Sequence, residues 1–165
     1  MKTLKVLAIV GTALLATACA SKKDGSGADA GQDLNGGNNG VVTGGTLGEQ
    51  LRAVGDTVYF DLDSYQVRPD GAAILQQQAQ LLNANPEVMV RIEGHADERG
   101  TREYNISLSA RRATTTRNFL LSQGVPGSRI SSIAYGKERP AALCDAEECW
   151  SQNRRTVTVV TGGAN

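Results

Sequence analysis

The chain has 165 residues, with 17 basic and 17 acidic side chains, one His and three Cys. Hydrophobic residues make up 40% of it, which is enough for one packed domain but not for a membrane protein with several spans. The balanced charge argues against a nucleic-acid reader, which carries a strongly basic surface, and one His with three scattered Cys leaves few ligands for a zinc site.

The N-terminal segment is typical of a secretory signal peptide, predicted over residues 1–18. Lys2 and Lys5 form its positive end, and an apolar run too short to span a bilayer leads through small residues into Cys19. The exit resembles the bacterial lipobox, which implies a diacylglycerol thioether on Cys19 and an acyl chain on its freed amine. The alternative is an ordinary signal that a cysteine follows by chance. Residue 20 is Ala rather than the Asp that favours inner-membrane retention, so we expect attachment to the outer membrane.

A Gly-rich segment follows, and we predict that residues 19–53 form a flexible tether behind the lipidated Cys. Residues 20–50 hold nine Gly and no aromatic residue. Such a segment buries too little apolar surface to offset the entropy cost of ordering it. As a random coil, about 34 residues span an r.m.s. distance of ~30–35 Å. Within it, Leu47 to Val54 is a weak candidate for a short helix or turn.

The remaining residues, 54–165, carry nearly all the aromatic and β-branched content and predict one domain. Apolar residues that alternate or recur at helical spacing predict strands at 58–60, 88–92, 130–135 and 156–160, and helices at 69–83, 105–123 and near 151–154. Gly124 is placed to end the second long helix, and Val157 and Val159 are the alternating apolar positions of the last strand. The order β-α-β-α-β-(short α)-β predicts an α/β domain, an α+β sandwich with helices packed on one face of a small mixed sheet.

The polar residues that suit a binding site cluster after the second strand, in the sequence GHADERG at 94–100. On the following helix, Asn105, Leu108 and Arg112 lie at i, i+3 and i+7 and share one face. An acid and a guanidinium on neighbouring elements suit a ligand with an ammonium and a carboxylate on one carbon, the head of an amino acid. The alternative, which composition alone favours, is that Asp97 and Arg112 pair with each other.

Residues 94–120 resemble the OmpA-like peptidoglycan-binding domain family, in particular its peptidoglycan-associated lipoproteins. The helix motif of the family is Asn, two residues, Leu-Ser, two residues, Arg-Ala, two residues, Val, three residues, Leu. It stands here from Asn105 to Leu120 with Thr116 in place of Val. Further matching strings extend the resemblance over residues 56–161: YFD at 59–61, EYNISL at 103–108, YGK at 135–137 and NRR at 153–155.

The resemblance implies non-covalent binding of the meso-diaminopimelate side chain of peptidoglycan stem peptides. Family roles place the ammonium of the diaminopimelate head on Asp97 and its carboxylate on Arg112. The other residues expected at this ligand are Asp63, Leu62, Arg99, Asn105 and Leu108; family members usually carry Phe at the position of Leu62.

The resemblance also implies a place in the envelope. The domain would face the periplasm and link the outer membrane to the cell wall. A second partner would be the periplasmic propeller protein TolB, within a Tol–Pal system that draws the outer membrane inward at division. Two other functions stay open: a peptidoglycan hydrolase or amidase that uses the loop acids, and a stress lipoprotein that carries the same domain outside the Tol complex.

The single His and the Ser residues could in principle serve catalysis or bind a metal ion. His95 lacks a second His or a nearby Cys for a metal site, and no Ser lies in a nucleophile motif. We therefore expect no catalytic residue, no metal and no cofactor, and we expect His95 to hydrogen-bond within its loop. Cys144 and Cys149 are expected to form a disulfide rather than two free thiols, because the periplasm is oxidising.

Overall fold

The structure is a computed structural model that describes residues 45–163; the predicted signal peptide, the predicted lipidation site Cys19 and the predicted tether up to residue 44 lie outside the described residues. The elements are α1 (Leu47–Val54), β1 (Thr57–Tyr59), α2 (Pro69–Ala84), β2 (Met89–Gly94), α3 (Arg102–Ser122), a 3₁₀ turn (Gly127–Arg129), β3 (Ile130–Ala134), α4 (Glu147–Asn153) and β4 (Arg155–Gly162). The predicted α/β order of strands and helices is confirmed, with α1 added at its start. Within this range no helix combines the length and the apolar character needed to cross a membrane.

The four strands form one mixed sheet in the order β1-β4-β2-β3. β4 is antiparallel to both of its neighbours, whereas β2 and β3 are parallel. Two parallel neighbours need a crossover connection, which α3 supplies. This topology places β4, the last strand of the chain, in the interior of the sheet.

Helices α1, α2 and α3 pack on one face of the sheet, and the buried core lies between these helices and the sheet. Val90 and Ile92 of β2 point into this core and are at most 1% exposed. On β4 the buried residues are Thr156 and Thr158, because the antiparallel register sets them opposite Gly94 and Ile92, and residues directly opposite share a face. The alternating valines of β4 therefore lie half-buried on the other face.

The two buried threonines of β4 are paired with the helices above them. The Thr156 hydroxyl lies 3.0 Å from that of Thr116 on α3. The Thr158 hydroxyl donates to the side-chain oxygen of Gln78 on α2 at 2.7 Å. A buried hydroxyl without a partner is costly, so Thr116, which departs from the family motif, is satisfied by a matching Thr on the sheet.

Two glycines define the position of α3: one lets the helix pack closely on β2, and the other ends it. A Cβ on Gly94 would stand 2.1 Å from the backbone oxygen of Ser109, so only glycine lets α3 lie this close to the end of β2. At the other end, Gly124 adopts φ 89°. Its N–H donates to the Leu121 carbonyl at 3.0 Å while the Val125 N–H donates to Leu120 at 3.1 Å, which is a Schellman motif. The predicted helix end at Gly124 is confirmed.

The packed domain includes residues 47–53, which the sequence analysis assigned to the tether. The Glu49 side chain accepts from the N–H of Thr46 at 2.8 Å and stabilises the start of α1. Leu47 and Leu51 are 7% and 1% exposed and join the core cluster. The helix forms because these apolar residues, four apart, share one face that can be buried.

Candidate ligand-binding site

The candidate site lies where three strands end and β4 begins. Tyr59, the last residue of β1, faces Arg155, and Gly94, the last of β2, faces both Thr156 and Ala134. The loops that follow these strands, 60–68, 95–101 and 135–146, therefore meet at one end of the sheet beside the start of α3. The chain places the GHADERG sequence in the middle of this group of loops.

The loops at 60–68 and 95–101 and the start of α3 form a cavity of about 200 Å³, here called the first cavity. Its lining residues are Leu62, Asp63, Asp97, Arg99, Gly100, Tyr104, Asn105 and Leu108. All the predicted site residues except Arg112 are thus brought together. The volume is below the ~300–1,000 Å³ of pockets for drug-sized ligands, so it suits a small group such as an amino-acid head rather than a whole sugar.

Asp97 provides the negative charge of the first cavity. Its carboxylate accepts from the Arg99 guanidinium at 2.5 Å and from the Arg99 backbone N–H at 3.1 Å, and it lies 3.4 Å from the Arg154 guanidinium. Burial raises the pKa of Asp97, but the hydrogen bonds and the charge of Arg99 outweigh burial and hold that pKa below its usual value. Asp97 is therefore an ionised acceptor at neutral pH.

Arg112 lies beneath the cavity and does not line it. Its side chain is fully buried and donates to the backbone carbonyls of Ser64 at 2.7 Å, His95 at 2.9 Å and Asp61 at 3.2 Å. Burial lowers the pKa of Arg112 to about 10, and the nearby Asp97 charge opposes that shift. The ion pairs of Asp97 go to Arg99 and Arg154 rather than to Arg112, so the direct Asp97–Arg112 pair weighed from the sequence is not formed here.

Arg154 is a site residue that the sequence analysis did not single out. It is 6% exposed, donates to the Phe60 carbonyl at 3.1 Å, and its guanidinium also reaches the carboxylates of Asp97 and Glu147. It thus connects the loop after β1, the GHADERG loop and α4. The available signal was the matching NRR string at 153–155, but that string does not reveal which of its two arginines points inward.

The exposed side of the first cavity is built around Asp63 and Tyr104. The Tyr104 hydroxyl donates to the Asp63 carboxylate, and this hydrogen bond raises the pKa of Tyr104. Asp63 adopts φ 53°, a left-handed conformation that Asp tolerates better than most residues. Tyr104 was also missed as a site residue, although it lies in the matching EYNISL string.

Helix α4 forms a wall behind Arg99. The Arg99 guanidinium lies 4.1 Å from the centre of the Trp150 ring, and the indole N–H donates to Glu98 at 2.7 Å. Cys144 and Cys149 are joined by a disulfide that ties α4 to the loop before it. This disulfide therefore constrains the helix that supports Arg99.

His95 does not make the loop hydrogen bonds expected from the sequence. Its side chain is 2% exposed, and neither ring nitrogen has a hydrogen-bond partner within residues 45–163. The ring instead packs against Tyr135, with centroids 5.4 Å apart. Burial, and then the charge of Arg155, lower the pKa of His95 to about 4, so it is neutral at pH 7. In the same part of the chain no group of three His, Cys, Asp or Glu is placed to hold a metal ion.

Comparison with known proteins gives close relatives. A model of the OmpA family matches residues 59–154. A peptidoglycan-associated lipoprotein of Rhizobium meliloti (strain 1021) is 50% identical over 160 residues, which are 97% of this chain and 89% of that protein. One from Pseudomonas aeruginosa (PAO1) is 42% identical over 148 residues, 86% of this chain and 87% of the relative.

Solved structures share the fold. The crystal structure of the peptidoglycan-associated lipoprotein from Burkholderia pseudomallei has a TM-score of 0.63 and 43% identity, covering 64% of this chain and 90% of that chain. The C-terminal domain of Helicobacter pylori MotB has a TM-score of 0.61 at 23% identity, over 65% of this chain and 84% of that chain. At that identity the second match bears on the fold alone.

Proposed function

The chain belongs to the OmpA family, among its peptidoglycan-associated lipoproteins, and from that premise we propose that its domain binds peptidoglycan non-covalently through the diaminopimelate of the stem peptide. The observation that carries the proposal is the ionised Asp97 carboxylate in a small cavity. A carboxylate in such a place accepts an ammonium with a charge-assisted hydrogen bond. The domain would act as a binding module and carry out no reaction.

The ligand carboxylate has two candidate partners. The resemblance assigns this role to Arg112, whose guanidinium already donates to three loop carbonyls beneath the cavity. Arg99 lines the cavity and has a side chain that is 34% exposed. We propose that Arg99 contacts the carboxylate directly, while Arg112 holds the loops in place and adds positive charge from below.

Co-sedimentation with purified sacculi tests the proposal. Asp97→Asn keeps the size of the side chain and removes its charge, and hydrogen bonds to charged groups contribute ~1.5–3 kcal/mol. We expect binding to weaken by about 10- to 100-fold and free meso-diaminopimelate to compete with the sacculi for the wild-type domain. The matched control is Asp70→Asn, an exposed acid on α2, which should bind as wild type does. If Asp97→Asn binds sacculi as tightly as Asp70→Asn does, Asp97 is not part of the binding site.

The competing function is a peptidoglycan hydrolase or amidase. Incubation of sacculi with the purified domain separates the two, because a hydrolase releases soluble muropeptides and a binding module only sediments with the wall. We expect no release above the level of a blank. Release that Asp97→Asn abolishes would favour the enzyme.

We also propose that the chain is an outer-membrane lipoprotein anchored through Cys19. Three acyl chains hold firmly, since each buried CH₂ contributes ~0.8 kcal/mol and two lipid signals already suffice for stable anchoring. Cys19→Ala should move the protein from the outer-membrane fraction to the soluble fraction. Retention of the variant in the membrane would contradict the anchor.

The proposed Tol–Pal role rests on the family alone. We propose that TolB docks on the Asp63 loop and the start of α3, overlapping the peptidoglycan site. A pull-down of TolB by the domain, with diaminopimelate-containing peptide as competitor, tests both points. Capture that the peptide reduces supports the overlap and a part in envelope constriction at division, whereas no capture favours a stress lipoprotein outside the Tol complex.

A further inference from the structure

A second cavity of about 130 Å³ lies next to the first. Its lining residues are Asp63, Tyr65, Tyr104, Ser107, Leu108 and Arg111. It shares Asp63, Tyr104 and Leu108 with the first cavity. The two cavities therefore form one groove with two compartments, and the Tyr104–Asp63 hydrogen bond stands between them.

The second cavity continues the groove along α3. Tyr104, Leu108 and Arg111 lie at i, i+4 and i+7, so they share one side of the helix. Between Asn105 in the first cavity and Arg111 in the second, the helix rises by ~9 Å. A ligand held at both places would lie along the helix with the loop at 61–65 on its other side.

Arg111 is the charged group that distinguishes the second cavity. Its side chain is exposed and its guanidinium lies 5.7 Å from the centre of the Tyr65 ring. Across residues 45–163 it takes part in no ion pair. Arg99 and Arg112, in contrast, already have acceptors. The one acid that lines this cavity, Asp63, accepts the Tyr104 hydroxyl.

We propose that the second cavity is a subsite for a carboxylate on the same stem peptide. Arg111 would bind this carboxylate, and the Tyr65 ring would form the apolar wall of the subsite. The proposal rests on the proposed function, since it assumes that the amino-acid head of diaminopimelate occupies the first cavity. The backbone end of that residue is separated from its head by three methylenes, or ~5 Å, and one further peptide residue adds up to ~3.8 Å. The carboxyl terminus of a short stem peptide can therefore reach Arg111.

Two synthetic peptides test this subsite by calorimetry: L-Ala-γ-D-Glu-meso-diaminopimelyl-D-Ala, which carries one residue beyond diaminopimelate, as its carboxyl-terminal acid, and the same peptide as its carboxyl-terminal amide. Because Arg111 is exposed, its interaction is screened and of moderate strength. We expect wild-type protein to bind the acid about threefold to tenfold more tightly than the amide. Arg111→Gln should lower the affinity for the acid to that for the amide and leave the affinity for the amide unchanged.

Two further variants separate failure of the subsite from failure of the proposed function. Arg52→Gln, an exposed arginine on α1, should retain the preference for the acid. Asp97→Asn should weaken both peptides, because both carry the same head. If Asp97→Asn weakens both peptides but Arg111→Gln treats acid and amide as wild type does, the subsite is overturned and the proposed function stands. If Asp97→Asn changes neither affinity, or wild type binds neither peptide, both are overturned.

Discussion

The layer beneath the first cavity and the rim around it are built in different ways. The buried support consists of residues whose side-chain donors point to backbone carbonyls, namely Asn105, Arg112 and Arg154. The rim consists of more exposed side chains that line the cavity, namely Leu62, Asp63, Arg99 and Tyr104, and its hydrogen bond from Tyr104 to Asp63 joins two side chains. Backbone carbonyls are fixed by the fold, so the support is in place before any ligand arrives. The rim is left to select the ligand.

This difference predicts that substitutions in the support reduce stability while substitutions in the rim reduce binding. Asp97 belongs to both, since it is 6% exposed, pairs with buried Arg154 and lines the cavity.

Arg112→Ala should have the largest effect on stability. It removes the donor from three carbonyl contacts, one buried and two partly buried. A buried polar group that loses its partner costs ~1–3 kcal/mol, so the combined loss should exceed that of any other variant here. Urea denaturation followed by circular dichroism measures the loss. The control is its exposed neighbour, Arg111→Ala, which should lie within ~0.5 kcal/mol of wild type. Equal midpoints for the two variants would show that Arg112 is not a support residue.

Mild acid should weaken the same support through His95, whose carbonyl accepts from Arg112. The folded-state pKa of His95 is about 4, below the ~6.5 of an unfolded chain. The neutral His95 therefore contributes fully to the free energy of unfolding above pH ~6.5. That contribution is lost as the pH falls toward 4, and the free energy of unfolding should drop by about 2 kcal/mol between pH 7 and pH 5. Asp97 adds nothing in this window, because its folded pKa is lowered and its own contribution is lost only as pH falls through that value.

Unfolding curves at pH 7 and pH 5 measure this dependence. His95→Gln, which does not titrate, should flatten the difference between the two pH values. A wild-type domain that is equally stable at both would contradict a neutral, buried His95.

Reduction of the Cys144–Cys149 disulfide tests the wall that supports the rim. Closing so short a loop contributes roughly 2 kcal/mol in the chain-entropy model. Trp150 is the only Trp of the chain and packs on Arg99, so its fluorescence reports this wall directly. Reductant should change the emission and weaken sacculus binding a few-fold, whereas Cys144→Ser should show the reduced behaviour with or without reductant. An unchanged Trp150 emission on reduction would show that the disulfide does not fix the position of α4.

Tyr104→Phe should have the smallest effect. It removes one hydrogen bond at the rim, worth ~0.5–1.5 kcal/mol, and leaves the buried support intact. We expect an unchanged unfolding midpoint and sacculus binding weakened by a few-fold. The control is Tyr59→Phe, which changes an equally exposed tyrosine on the sheet and should leave binding unchanged. A lower unfolding midpoint for Tyr104→Phe would show that Tyr104 also supports the fold, which would contradict its assignment to the rim.

Much of the fold was predictable because it depends on local patterns. Alternation on β2, helical spacing on α2 and α3, and the glycine after α3 predicted these elements and their order. Residues 47–53 were less predictable, because the Leu47 and Leu51 side chains become apolar contacts only once the core exists. The inward threonines of β4 depend on register with β2, which no single strand contains.

For the site, the sequence by itself determined which residues are near one another along the chain: the acid in the GHADERG loop, the residues on one side of α3, and the two cysteines close enough to pair. Only the tertiary structure decided where the guanidiniums point. Arg112 turns under the cavity because three loop carbonyls converge there, and Arg154 reaches Asp97 across a separation of 57 residues. Those acceptors come from loops distant in sequence, and a long side chain takes its direction from the groups that the fold brings to it.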